Sequence, residues 1–176
     1  MSQSKQLDCP EIVFWQALSR AHATVLTALE RELEQGSVTP IGLEVLRTLA
    51  ACTNGQMRMA DVAKTVGLSR SGLTRLMDRL QRHGWVERCD CPDDGRGAFA
   101  VLTDFGQQAL DRALPTYRAA LMRCLSPALH HGDVGAVTDA LIQIRADGRD
   151  SERNALTQLE HRTVRGTVER GHTSGK

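Results

Sequence analysis

Arginines at 70, 75, 79 and 82 and hydroxyls at Ser69, Ser71 and Thr74 crowd one short stretch, "SRSGLTRLMDRLQR". A guanidinium stays charged at any physiological pH and presents a rigid fork of donors. Its chemistry is therefore multidentate hydrogen bonding to an acceptor-rich anion rather than proton transfer. Leu73, Leu76, Met77 and Leu80 recur at i, i+3, i+4 and i+7, and Ser69 is a good N-cap. This spacing predicts a helix running to about Arg82 and ended by His83-Gly84. Its other face carries Arg70, Ser71, Thr74, Arg75, Asp78 and Arg79. The major groove of duplex DNA admits one such helix. Ser71 and Thr74 can approach base edges or phosphate, and Arg75 can make the forked contact to guanine. Gly72 removes a side chain that would hold the backbone away, while Arg79 and Arg82 lie further along, where they suit the sugar-phosphate backbone. The amino end of the helix adds partial positive charge toward phosphate.

The neighbouring elements must hold that helix in place. A short helix is expected from about Met59 to Val66, with Ala60, Val62, Ala63 and Val66 inward and Gly67 at its end. Ala63 and Gly67 let two helices cross closely around a tight left-handed turn, which makes a helix-turn-helix. Past Gly84 the pattern alternates: Trp85 to Asp90 and Ala98 to Thr103 read as two short strands. The loop between them, Cys91-Pro92-Asp93-Asp94-Gly95-Arg96-Gly97, is rich in turn formers. Arg96 at such a tip can enter an adjacent narrow minor groove, with Asp94 placed to orient it.

Outside this unit the chain reads as helix. Apolar residues at Leu18, Val25, Leu26, Leu29 and Leu33 mark a long helix over Ile12 to Leu33, with Gly36 beyond it. Thr39-Pro40 is an N-cap followed by a first-turn proline, and Leu43, Leu46, Leu49 and Ala50 follow as a buried stripe closed by Thr53-Asn54-Gly55. Thr103-Asp104 opens another long helix (Ala109, Leu110, Ala113, Leu114, Tyr117, Leu121, Leu125), with Pro115 as a bend and Ser126-Pro127 near its end. A last helix is expected from about Asp133 to Arg145. The fold class is thus mainly α: a winged helix-turn-helix with a two-stranded β-wing and a helical region drawn from both chain ends. Residues 146–176 are polar, near charge balance, and expected to form a flexible tail.

Composition agrees with this reading and narrows it. The 176 residues suit one domain plus a tail, and 41% apolar with 3% aromatic content points to a helical core of Leu, Val and Ala. Net charge is only +1, but residues 58–96 hold eight basic against six acidic residues, with the excess on the reading helix, so binding to DNA should be salt-sensitive. No signal-peptide core or membrane-length apolar run occurs, so a cytoplasmic, nucleoid-associated protein is expected. Five scattered cysteines do not suggest a disulfide framework. Cys89-x-Cys91 and Cys9 leave a thiol- or metal-responsive alternative, but the wing and helix-start readings of these residues are the plainer ones, and His130-His131 reads as an exposed helix end. No metal site and no cofactor are expected. Without a phosphate loop, nucleophile elbow or paired-His helix, no catalytic residues are assigned and an enzyme is not expected. A winged-helix module that binds protein is the rival from another class, and it would not need the groove-reading residues.

The run from Ala60 to Leu110 resembles the winged-helix core of MarR-type bacterial transcriptional regulators, and the resemblance covers about residues 11–145. Its specific part is the wing, Pro92-x-Asp94-x-Arg96, followed by Leu102-Thr103-x-x-Gly106. Cys91 stands where the family commonly has Asp. The resemblance implies a core at 58–103 that reads double-stranded DNA and a dimerisation region at 11–35 and 104–145. It also implies a homodimer on a pseudo-palindromic operator, repression, and release by a small aromatic or anionic effector. Trp15 and His22 lie in the first helix, near where that family's ligand cleft falls. Core or dimer packing is the plainer reading of both.

Overall fold

The computed structural model describes residues 9–34, 38–90, 98–130, 133–144 and 146. Helix α1 spans Pro10–Leu33, α2 Pro40–Ala50, α3 Met59–Val66, α4 Arg70–Arg82 and α5 Asp104–Leu129; the strands are β1 (Gln56–Arg58), β2 (Val86–Asp90) and β3 (Ala98–Leu102). Residues 134–144 form a further helix, α6. The chain divides into two units, residues 1–126 and 127–176. Among the described residues, no helix is long and apolar enough to cross a membrane. Asp94 and Arg96, the wing-tip residues expected from the sequence, lie outside the described residues, as do Gly36 and the tail from residue 147.

Helix α2 is the hub of the first unit, and its start is fixed by the sequence. Thr39 caps it, accepting the Gly42 amide at 3.3 Å, and Pro40 fills a first-turn position that needs no amide partner. Seven of its residues are buried, including Leu43, Val45, Leu46 and Leu49 at zero exposure. They meet Val62 of α3, Leu73, Met77 and Leu80 of α4, Val86 and Ala100 of the sheet, and Ala109 and Leu110 of α5 in one cluster. Burying each large side chain in that cluster contributes about 1.5–3 kcal/mol. The expected core at 58–103 is thus packed around a helix that begins at Pro40.

The sheet has three strands where the sequence reading had two. Antiparallel β3 lies between β1 and β2, with Met57 opposite Ala100 and Arg88 also opposite Ala100 from the other side. Gln56–Arg58 is too short for alternation to register, and it becomes a strand only because Gly55, at φ +62°, turns the chain back along β3. The Leu102 amide donates to the Gly55 carbonyl at 2.8 Å and closes that corner.

The long α5 continues through Pro115 and is tied to α2 by Tyr117, whose hydroxyl donates to Glu44 at 2.7 Å while Arg47 holds the other carboxylate oxygen at 2.8 Å. Burial, reinforced by the Glu44 carboxylate, pushes the Tyr117 hydroxyl up to about 12. The folded protein therefore holds this proton more tightly than the unfolded chain, whose tyrosine titrates near 10. The bond's contribution is complete below pH about 10 and is lost as pH rises through about 12. Tyr117→Phe should lack this alkaline component, and urea unfolding at pH 9 and pH 11 measures it: the gap between the two proteins should shrink at the higher pH.

Candidate nucleic-acid interface

The helix-turn-helix is built by two caps in tandem. Gly67 ends α3 in the left-handed conformation (φ +72°), and its amide and that of Leu68 return to the Ala63 carbonyl. Ser69 then caps α4, accepting the Gly72 amide at 3.1 Å. A Cβ at Gly72 would stand 3.2 Å from the Ser69 oxygen, so this glycine serves the cap itself as well as leaving the outer surface low. The same arrangement recurs at α2, where a Cβ at Gly42 would stand 3.1 Å from the Thr39 oxygen.

With Leu73, Leu76, Met77 and Leu80 buried, α4 turns Arg70, Ser71, Thr74, Arg75 and Asp78 outward. Arg70 and Arg75 make no side-chain hydrogen bond or ion pair among the described residues, so both guanidinium groups are available to a ligand. The hydroxyl of Thr74 donates to the Arg70 carbonyl at 2.9 Å, which leaves its oxygen as an acceptor. Ser71 shares a hydrogen bond with Ser69 at 3.2 Å. Arg79 is different: its Nη2 donates to Thr39 Oγ1 at 3.0 Å, joining α4 to the cap of α2. The sequence reading expects it at the sugar-phosphate backbone; in the structure one of its guanidinium nitrogens also makes this contact within the protein. Asp78 and Arg88 were not singled out as a pair, yet they meet at 2.6 Å across α4 and β2. Only the three-dimensional return of β2 alongside α4 brings them together.

Trp15 and His22 lie on the exposed side of α1, Trp15 at 66% exposure. Neither lines the cavity of about 760 Å³ bounded by Arg31, Val38, His83, Trp85, Arg112 and Thr116. The His83 and Trp85 rings stack there, with centroids 4.5 Å apart. Trp85 and Arg112 come from opposite sides of the wing in sequence, and nothing in their spacing points to a shared cavity.

A helix-turn-helix whose reading helix is backed by a buried core and followed by a β-hairpin defines a winged-helix protein. Residues 38–97 match the MarR family model, and that stretch starts just ahead of the hub helix. The chain is 26% identical over 114 residues to the transcriptional repressor MprA of Escherichia coli K12, covering 64% of this chain and 65% of that protein. It is similar in structure to AbsC, a MarR family transcriptional regulator from Streptomyces coelicolor, at TM-score 0.71 and 26% identity, covering 85% of this chain and 97% of AbsC. Sco3205, a MarR family transcriptional regulator from the same organism solved in complex with DNA, matches at TM-score 0.67 and 29% identity, over 77% of this chain and 85% of its own. Over residues 38–97 and in its fold the chain is thus similar to MarR family proteins, which are transcriptional regulators.

Proposed function

We propose that the protein is a sequence-specific repressor that binds a pseudo-palindromic operator in double-stranded DNA as a homodimer and is released by a small aromatic or anionic molecule. The observation that carries this reading is the two-sidedness of α4. One face is locked into the core, and the other offers two unpartnered arginines and two hydroxyls at the amino end, where a groove-reading helix needs them. Arg70, Ser71, Thr74 and Arg75 read the groove from Ser69 and Gly72 onward, and Arg96, oriented by Asp94, enters the minor groove beside it. Arg79, further along, meets the sugar-phosphate backbone while its Nη2 ties α4 to the cap of α2.

Homodimerisation is supported by apolar surface that a monomer leaves in water. Val13, Phe14 and Trp15 are 49–66% exposed on α1, and Val137, Ile142 and Ile144 are 53–60% exposed on α6. Residues 11–35 and 104–145 form the dimerisation region in this reading, and residues 58–103 form the reading core. Two copies related by a two-fold axis would present two α4 helices to half-sites about one DNA turn apart. The cavity beside Trp85 gives the effector room: Arg31 and Arg112 offer charge to an anion and the indole a face to a ring. A repressor of this kind works in the cytoplasm, on the nucleoid.

The test is a mobility-shift titration against the DNA flanking the protein's own coding region with random-sequence competitor, paired with light scattering for mass. Saturable, competitor-resistant binding by a species of dimer mass is expected. A monomer, or binding that random DNA abolishes at every flanking fragment, contradicts the proposal. Adding benzoate as the probe anion should quench Trp85 fluorescence and weaken the shifted band.

A further inference from the structure

One acid sits on the reading helix, and among the described residues its carboxylate has a single, well-formed partner, from another element. Across residues 70–82 the charged residues are Arg70, Arg75, Asp78, Arg79 and Arg82. Asp78 follows Thr74 by four residues, so it lies one turn down the same outward face and is half exposed. An unmatched carboxylate there would meet DNA phosphates as like charge. Arg88 reaches it from β2: its Nη2 donates to Asp78 Oδ1 at 2.6 Å and also to the Thr74 carbonyl at 3.0 Å. Its Nε is buried with no hydrogen-bond partner among the described residues, so these two contacts through Nη2 are what fix the guanidinium.

We propose that Arg88 is a positioning residue for DNA recognition, reaching from the wing strand to neutralise Asp78, the one carboxylate on the reading helix. This inference rests on the DNA-binding reading given above. One atom makes both contacts, so the guanidinium is held at two points on α4, the carboxylate of residue 78 and the backbone one turn earlier at residue 74. Asp78, for its part, keeps Arg88 from contacting phosphate. The pair is worth more to binding as a neutral, ordered unit than either charge alone.

The proposal separates cleanly from the plainer role of Arg88 as a direct phosphate contact. A direct contact is lost whenever the arginine is removed, whatever stands at residue 78. A mask is needed only while the carboxylate is present. Binding of a short random-sequence duplex, followed against salt concentration by fluorescence anisotropy, distinguishes them without knowledge of the operator. Arg88→Gln should weaken binding about tenfold and flatten the slope of log K against log salt by about one. The double variant Arg88→Gln with Asp78→Asn should return to within about twofold of the parent protein, slope included. A double variant as weak as Arg88→Gln overturns the proposal and makes Arg88 a phosphate contact. Unchanged binding by Arg88→Gln also overturns it. Thermal midpoints of both variants show whether folding is altered, and a stability loss shared by both cannot produce a recovery of binding in one. Should the parent protein fail to bind duplex at low salt, the DNA-binding reading itself fails and this inference falls with it.

Discussion

Gly106→Ala should destabilise the protein by about 3 kcal/mol and lower its thermal midpoint by about 6–12 °C, although the same change at most helical sites stabilises. Gly106 lies in the first turn of α5, is buried, and packs directly under the peptide of residue 85. A Cβ there would collide with the Trp85 carbonyl oxygen, stand 2.9 Å from the carbonyl carbon, and press on Leu102 Cδ1 at 2.8 Å. The leucine could turn aside, but the carbonyl could not. The peptide on either side of Trp85 is pinned: its amide donates to the Leu80 carbonyl at 3.0 Å, and its carbonyl accepts from Thr103 at 3.2 Å.

Relief would have to come from lifting the start of α5, which would break a compact cap. Thr103 Oγ1 accepts the Gly106 amide at 3.0 Å and donates to the Gly84 carbonyl at 2.6 Å. One threonine therefore starts α5 and anchors it to the turn that ends α4. The Leu-Thr-x-x-Gly motif is this joint: Thr103 makes the bonds and Gly106 makes the room. A destabilisation of this size is a large fraction of the total stability of an ordinary domain, so differential scanning calorimetry would resolve it readily. An unchanged or raised midpoint would mean that the two elements can separate at no cost, and the joint would lose its explanation.

What the sequence made legible was local. The bounds of α3 and α4 could be read because their signals, Gly67, Ser69, His83-Gly84 and an apolar period, lie within a turn of the ends they mark. The capped start of α2 could be read for the same reason. The contacts that orient these elements were not legible. Arg79 meets Thr39 across forty residues and Tyr117 meets Glu44 across seventy-three, and no spacing rule covers such separations. Strand β1 is defined by its neighbour rather than by its own three residues. The site divides in the same way. The face of α4 followed from periodicity, whereas the cavity draws on α1, the turn at 83–85 and α5 together, and Trp15 and His22 on the outward side of α1 take no part in lining it. The motif ending at Gly106 was visible as a pattern, but its reason is a close approach of two backbones.

Arg75→Ala should reduce specific operator binding at least about thirtyfold while leaving the fold almost untouched. Arg75 is exposed and has no side-chain partner among the described residues, so truncating it breaks no bond within the protein. Surface changes of this kind shift stability by no more than about 0.5 kcal/mol. In the groove a forked arginine contact to guanine is worth about 1–3 kcal/mol of discrimination, and a homodimer makes it twice. Arg79→Ala provides the contrast. Its guanidinium holds the Thr39 oxygen that caps α2, so that variant should lose stability as well as affinity, and urea denaturation would separate the two. Arg75→Lys sharpens the test: an ammonium keeps the charge but not the fork, so binding to random DNA should persist while preference for the operator falls. Should Arg75→Ala retain full operator affinity, α4 would not be reading bases through this residue, and specificity would have to come from the hydroxyl-bearing first turn or from the wing.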